Sequence, residues 1–362
     1  MIWLYIIVFS AFSIICMLGF WIRWQWNKNY QQQQAFFQVA DISVIVPFRN
    51  EAQQLPKLIA SLNQLQFFPR EIIWVNDHSE DDFMPCFDGL SIPFKSTLIH
   101  LAPGDEGKKT ALRAGISDAQ GKYILTWDAD IVVSKNYFRQ LAKTPLTDFL
   151  VLPVSMPGKN ISQIFFELDY QYLNALNVAV SGHLNPIVAS GANLLFNKDV
   201  FDEVDSFEEH ADVASGDDVF LLQDFKRHKK EIELALHPDL QAKTEVPQTW
   251  EAFFQQRLRW IGKSRKVGDK VAAYLGIIGM VYHVGFWLMF FTDPSWKQLL
   301  VLTIVKIFLD ALLLLPYLFI LKRPWTGFFL PLFSLLYPIY MLMILVMTMF
   351  YEPEWKGRIL AP

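Results

Sequence analysis

The sequence predicts an α/β protein in which a central, mostly parallel sheet is flanked by transmembrane helices. Three observations predict it. Apolar strand-forming runs recur between residues 41 and 248, each closing on a polar loop and several followed by a helical pattern. One of them, Lys122-Tyr123-Ile124-Leu125-Thr126-Trp127-Asp128-Ala129-Asp130, stops at two carboxylates separated by one small residue. The hydrophobic excess, 52% of 362 residues, is concentrated at the two ends of the chain.

Residues 1–22 carry no charged side chain and suffice to cross a bilayer, with Arg23 and Lys28 directly behind them. No basic n-region and no small-x-small cleavage pattern is present, so the stretch reads as an uncleaved anchor. The positive flank places Arg23 and the residues after it in the cytoplasm. Residues 23–40, with four glutamines in a row from Gln31, form a polar linker. Residues 42–47 are the first strand, and residues 52–65 a helix with Leu55, Leu58, Ile59 and Leu62 on one face. Residues 71–77 are the second strand, which completes a βαβ unit and implies parallel pairing. A third strand at 97–101, a helix at 108–119 and a strand at 123–127 repeat the pattern. A strand at 149–154, a long amphipathic helix at 162–180 and the small-residue run around Gly191 come next, before the catalytic part closes at 248.

Residues 249–270 form a basic amphipathic helix of the kind that lies among headgroups. Its apolar stripe is Trp250, Phe253, Phe254, Leu258 and Ile261, and Gln256, Arg259 and Trp260 share another face. Residues 271–351 contain three apolar stretches, 271–291, 299–321 and 328–350, before a tail at 352–362. Three full crossings would leave Lys356 and Arg358 outside, against the usual charge bias. One stretch is therefore expected to be re-entrant or interfacial. The second is the candidate, because it carries Lys306 and Asp310 one turn apart and Pro316; a buried salt bridge inside a bundle is the other reading of that pair.

Asp128 and Asp130 cannot stay in a core without a cation or donors, so they belong at the C-terminal edge of their strand. Ligands of open α/β sheets bind at that edge, and paired hard oxygens suit Mg²⁺ or Mn²⁺ carried with a diphosphate. The same edge collects Pro47-Phe48-Arg49-Asn50-Glu51, Asn76-Asp77-His78-Ser79 and Gly107-Lys108. This outlines a nucleotide pocket in which Asp77 accepts from a base edge and Lys108 meets phosphate. Singly, Asp77 is a turn former, Lys108 a solvated charge and Glu51 a first-turn acid; it is their joint placement that argues for a site. Ser190-Gly191-Ala192 lets a ligand approach the backbone or makes a tight bend. In Ser215-Gly216-Asp217-Asp218, an acid at a helix N-terminus is either a cap or a general base.

Gly104-Asp105-Glu106-Gly107-Lys108-Lys109-Thr110 is not a P-loop, having two residues between its glycines and Lys109 before Thr110. Cys16 and Cys86 suggest no disulfide framework or zinc site. Residues 23–270 hold 26 basic against 32 acidic groups, the wrong sign for a nucleic-acid binder.

Six stretches in order resemble the membrane-bound family 2 inverting glycosyltransferases, the group of ceramide glucosyltransferases and of cellulose, chitin and hyaluronan synthases. They are Val46-Pro47-Phe48-Arg49-Asn50-Glu51, Val75-Asn76-Asp77-His78-Ser79, Gly107-Lys108, Asp128-Ala129-Asp130, Ser215-Gly216-Asp217-Asp218 and Gln256-Arg257-Leu258-Arg259-Trp260. The resemblance covers residues 41–265 and implies a GT-A fold, Rossmann-like. It also implies a nucleotide-diphosphate sugar donor, UDP-linked by preference, and Mg²⁺ or Mn²⁺. By the resemblance, Pro47, Glu51, Asp77, Lys108 and Asp128 bind the donor, with Asp77 on the base, and Asp130 with Asp128 holds the metal. Asp218 is the base, with Asp217 beside it, and Arg259 faces the leaving diphosphate. Gly191, Asn193, Gln256 and Trp260 border the acceptor. Two positions depart from the pattern. Asp217 replaces the usual Glu, which leaves the choice of base between Asp217 and Asp218 open, and Lys109 and Arg113 stand where a small residue and often Asn occur.

The expectation is a cytoplasm-facing enzyme of the inner membrane that passes one sugar to a lipid acceptor. A processive polysaccharide synthase is the alternative, disfavoured because three or fewer C-terminal spans offer little material for a polymer channel. A non-catalytic nucleotide-sugar-binding subunit is the rival of another class, and it has no need of Asp217 and Asp218.

Overall fold

The computed structural model describes all residues except 32–38, 146, 205–216, 351–353, 356–357 and 360–362. In chain order the first elements are α1 (Ile2–Gln31), β1 (Ile42–Phe48), α2 (Leu55–Leu62), β2 (Glu71–Asn76), β3 (Lys95–His100), α3 (Lys108–Asp118) and β4 (Tyr123–Trp127). Next come α4 (Tyr137–Leu141), β5 (Phe149–Val151), β6 (Val154–Ser155), α5 (Ile161–Ser181), β7 (Asn193–Asn197), α6 (Lys198–Val204) and α7 (Asp217–Arg227). Then come β8 (Ile232–Leu234), β9 (Ala242–Lys243), α8 (Trp250–Val267), α9 (Lys270–Leu288), α10 (Trp296–Ile320) and α11 (Leu330–Met347), followed by the short strands β10 (Glu354–Trp355) and β11 (Arg358–Ile359). Contacts divide these into a sheet unit, Trp24–Met156 with Val188–Glu245, and a helical unit, Met1–Arg23 with Pro157–Ile187 and Val246–Pro362.

Among the described residues, the main sheet of the sheet unit has seven strands in the order β3-β2-β1-β4-β7-β5-β8, and β6 pairs in parallel with β9 beside it. β1, β2 and β4 are buried at every residue, as expected of central parallel strands covered on both faces. β1 pairs in parallel with β2 and β4, so Phe48, Asn76 and Trp127 end on one edge. β7 is the reversed strand, antiparallel to both β4 and β5. Its register sets Asn193 opposite Trp127, which brings the start of β7 to the edge where β4 ends. Gly115 lets α3 close on the sheet: a Cβ there would lie 2.6 Å from Ile45 Cγ2. Trp74, Trp127, Tyr137, Phe138, Phe149, Phe196 and Phe225 fill the core.

Among the described residues, four helical segments are long and apolar enough to cross a membrane: Ile2–Tyr30, Lys270–Phe291, Trp296–Ile320 and Pro324–Met347. The expected linker at 23–40 is helical through Gln31, because Asn27 on α1 is buried and satisfied. Its Nδ2 donates to Leu234 O (3.3 Å), and its Oδ1 accepts from Leu236 N (2.6 Å). In the helical unit Gly19 and Gly182 let α1 and α5 meet at backbone distance, since a Cβ on Gly182 would stand 1.9 Å from Gly19 O. Arg23 donates from Nε to Ser181 O (3.1 Å).

α10 runs unbroken for 25 residues through Pro316, about 37 Å at 1.5 Å per residue. Lys306 and Asp310 are fully buried and paired (Nζ to Oδ2, 2.5 Å). Tyr282 (2.9 Å) and Tyr172 (3.4 Å) donate their hydroxyls to Asp310 Oδ1. The pair is thus a satisfied ion pair inside the bundle. Arg323, in the turn after α10, grips Glu167 of α5 through both carboxylate oxygens (2.9 and 2.7 Å).

Candidate active site

The carboxylates at the end of β4 are held differently. Asp128 Oδ1 accepts from Lys108 Nζ at 2.6 Å, so its charge has a counter-ion at the N-terminus of α3. Asp130 Oδ2 accepts from the neutral Thr244 hydroxyl at 2.5 Å. Burial first, and then the Asp128 carboxylate beside it, push the Asp130 carboxyl up to about 6; Glu51 adds in the same direction and the Thr244 hydrogen bond opposes them. A cation would relieve both burdens. Two hard carboxylates suit Mg²⁺ or Mn²⁺, which completes its shell with phosphate and water oxygens and does not need an all-protein cage. Among the described residues, no group of three or more His, Cys, Asp or Glu is placed to hold a metal ion by itself.

Asp77 directly succeeds β2 and is buried. Its backbone N–H donates to Phe48 O (2.9 Å), and its Oδ2 accepts from Gly107 N (3.1 Å). Oδ1 is buried with no donor among the described residues. The loops around it interlock: Asn50 N donates to Ser79 Oγ (3.0 Å), Glu80 N to Asn50 Oδ1 (2.8 Å) and Ala52 N to Asp81 Oδ2 (2.7 Å). Asn50 and His78 take left-handed conformations (φ 55° and 52°), which cost energy in a side-chain-bearing residue and are kept only where surrounding bonds enforce them.

Asp218 lies in the first turn of α7. Its Oδ2 accepts from Gly191 N (3.1 Å), and Gly191 O accepts from Thr126 Oγ1 (2.9 Å) on β4. Two hydrogen bonds therefore tether Asp218 to the strand that ends beside Asp128. Gly191 does this with its backbone. Asp217 opens α7, while Ser215 and Gly216 fall outside the described residues.

Residues 43–204 match the sequence profile of Glycosyl transferase family 2. The match takes in just under half of the chain, and over that stretch the chain is similar to family 2 glycosyltransferases. Poly-beta-1,6-N-acetyl-D-glucosamine synthase of Staphylococcus epidermidis is 24% identical over 242 residues, 65% of this chain and 57% of that protein. Undecaprenyl-phosphate 4-deoxy-4-formamido-L-arabinose transferase of Pectobacterium carotovorum subsp. carotovorum is 34% identical over 98 residues, 26% of this chain and 30% of that one. The chain thus spans little more than half of the first relative and under a third of the second. Among solved structures, the mannosyltransferase PcManGT from Pyrobaculum calidifontis, in complex with GDP-Man and Mn2+, superposes with a TM-score of 0.56 at 16% identity. The match covers 97% of this chain and 99% of that one. The fold is the expected GT-A class.

Within the sheet unit, Glu51, Asp77, Lys108, Asp128, Asp130, Gly191 and Asp218 come to one edge. Pro47 is buried in β1 opposite Val75, beyond the last β1 residue paired to β4, where a missing N–H is tolerated. Asn193 is a correction. It is fully buried and all four of its side-chain bonds go to protein: its Oδ1 accepts from Tyr137 Oη (2.5 Å) and Trp127 Nε1 (3.3 Å), and its Nδ2 donates to Pro153 O and Leu240 O (2.8 Å each). No capacity is left for an acceptor. Gln256, Arg259 and Trp260 lie on α8, in the helical unit. Gln256 Oε1 accepts from Arg257 Nη1 (2.8 Å), and the Trp260 ring lies 4.2 Å from the Arg257 guanidinium, so both clasp the buried pair of Arg257 with Asp169. Sequence reasoning missed Arg257, hidden inside the Gln-x-x-Arg-Trp pattern, and Thr244, for which no local signal exists.

Proposed function

We propose that the protein is a metal-dependent, inverting glycosyltransferase of the cytoplasmic membrane that moves one sugar from a nucleoside-diphosphate donor, UDP-linked by preference, to a membrane-embedded lipid acceptor. What carries the reading is the set of four acids, Asp77, Asp128, Asp130 and Asp218, on one sheet edge. Asp77 Oδ1 suits a base N–H, because a buried acceptor without a donor is costly until a ligand supplies one. Asp128 and Asp130 would hold Mg²⁺ or Mn²⁺, which when bound offsets the charge of the donor diphosphate. Lys108, at the same edge, adds a positive charge for that group. Asp218, fixed by the N–H groups of Gly191 and Val219 (2.9 Å), takes the acceptor's hydroxyl proton. The freed oxygen forms a bond to the anomeric carbon, the bond from that carbon to the diphosphate oxygen breaks, and its electron pair leaves with the diphosphate. One displacement inverts the centre and needs no covalent enzyme intermediate.

Arg23 and Lys28, directly after the first apolar stretch, support a cytoplasmic site. A lipid acceptor is supported by the undecaprenyl-phosphate relative; the poly-N-acetylglucosamine synthase relative favours the polymer alternative. The purified protein, given labelled nucleotide sugars, Mn²⁺ and membrane lipids, is expected to yield a labelled, organic-extractable lipid. A high-molecular-weight product would establish the polymer reading. Absence of both, with donor binding intact, would support the non-catalytic one.

A further inference from the structure

Thr244 stands 114 residues beyond Asp130 and is the side chain that meets its Oδ2. The strap around it is fastened residue by residue. Lys243 exchanges backbone hydrogen bonds with Val132 (2.8 and 3.0 Å), and Thr244 N donates to Ser155 O (2.9 Å). The Glu245 carboxylate takes Lys57, and Gln54 Nε2 reaches it at 3.3 Å. The backbone of Thr244 is therefore fixed without help from its hydroxyl. That hydroxyl instead points at Asp130, and the contrast with Asp128 is informative. Lys108 cancels the charge of Asp128, whereas a neutral hydroxyl uses one lone pair of Asp130 and leaves its negative charge in place.

We propose that Thr244 is a positioning residue for Asp130: its hydroxyl fixes the rotation of the carboxylate while leaving its negative charge to a divalent cation. The strap thereby makes residues 243–245 part of the metal site, although they are distant in sequence from the Asp-Ala-Asp motif. This rests on the reading of Asp130 as a metal ligand. Outer partners of metal-binding carboxylates typically change metal affinity by about 10- to 100-fold when removed.

The test is Mn²⁺ binding to the full-length detergent-solubilised protein with UDP as the nucleotide probe, followed by the electron paramagnetic resonance signal of free Mn²⁺. Thr244→Val is expected to weaken Mn²⁺ about 10- to 100-fold. Thr244→Ser should recover affinity to within a few-fold, and Asp130→Asn should abolish binding. Parental affinity in Thr244→Val, with Asp130→Asn inactive in binding, overturns the positioning role and leaves the metal reading standing. Equal binding by the parent and Asp130→Asn overturns the metal reading itself. If the valine variant unfolds early, Thr244→Ser and Thr244→Ala pose the same question: weakened binding in alanine alone supports the role, and equal binding in both overturns it.

Discussion

Asn193→Ala is the sharpest structural perturbation in the sheet unit. It removes a side chain with four hydrogen bonds and strands the Tyr137 hydroxyl, the Trp127 indole N–H and the carbonyls of Pro153 and Leu240 in the core. Each stranded group costs about 1–3 kcal/mol. Water entering the space recovers part of that, so the net loss is roughly 3–6 kcal/mol, a large share of the ~5–15 kcal/mol that holds a typical domain together. Asn193→Asp should fare little better, since it turns an oxygen toward two carbonyls. The assay is thermal unfolding in detergent, followed by tryptophan fluorescence, where a drop on the order of 10 °C is expected. An Asn193→Ala protein that melts with the parent and is defective only in acceptor KM would refute the structural role and restore an acceptor-binding one.

Other consequences are as direct. Asp77→Ala should weaken UDP binding about tenfold or more by calorimetry, as expected for losing a hydrogen bond to a charged group; unchanged affinity would remove Asp77 from the donor site. Lys306→Met should destabilise by about 3–5 kcal/mol because it leaves Asp310 buried and unpaired, and adding Asp310→Asn, which still accepts from Tyr172 and Tyr282, should recover most of it; a double variant as unstable as the single one contradicts this. Mn²⁺ affinity should fall as pH drops through about 6. The folded-state value of Asp130 lies above its ordinary 3.8, so in the metal-free protein its contribution to stability is full below that value and lost as pH rises through about 6. Metal needs the ionised form and so gains as pH rises; affinity that is flat from pH 5 to 7.5 would show that Asp130 is not a ligand.

Much of this site is legible along the chain. Apolar runs ending in polar loops mark β1, β2 and β4, and parallel pairing then requires Asp77 and Asp128 to share an edge. What stays hidden is long-range. Nothing local reveals that β7 runs against its neighbours, a reversal that brings Gly191 to Asp218 and sinks Asn193 under Tyr137. Thr244 carries no pattern, because a hydroxyl gains meaning only from what it faces. The helix of α1 outlasts its apolar stretch because Asn27 finds partners at Leu234 and Leu236, which hydropathy does not register. Of the two readings that the sequence left open for Lys306 and Asp310, the buried ion pair is the one the structure shows, each satisfying the other.

The most direct measurement is sugar transfer by purified Asp218→Asn with labelled donor, lipid and Mn²⁺, set beside donor binding by the same preparation. Loss of a general base should lower transfer by about 10²- to 10⁴-fold while UDP-sugar affinity stays within about twofold of the parent. Transfer at the parental rate would contradict the assignment of Asp218 and, with it, the chemistry proposed for this edge of the sheet.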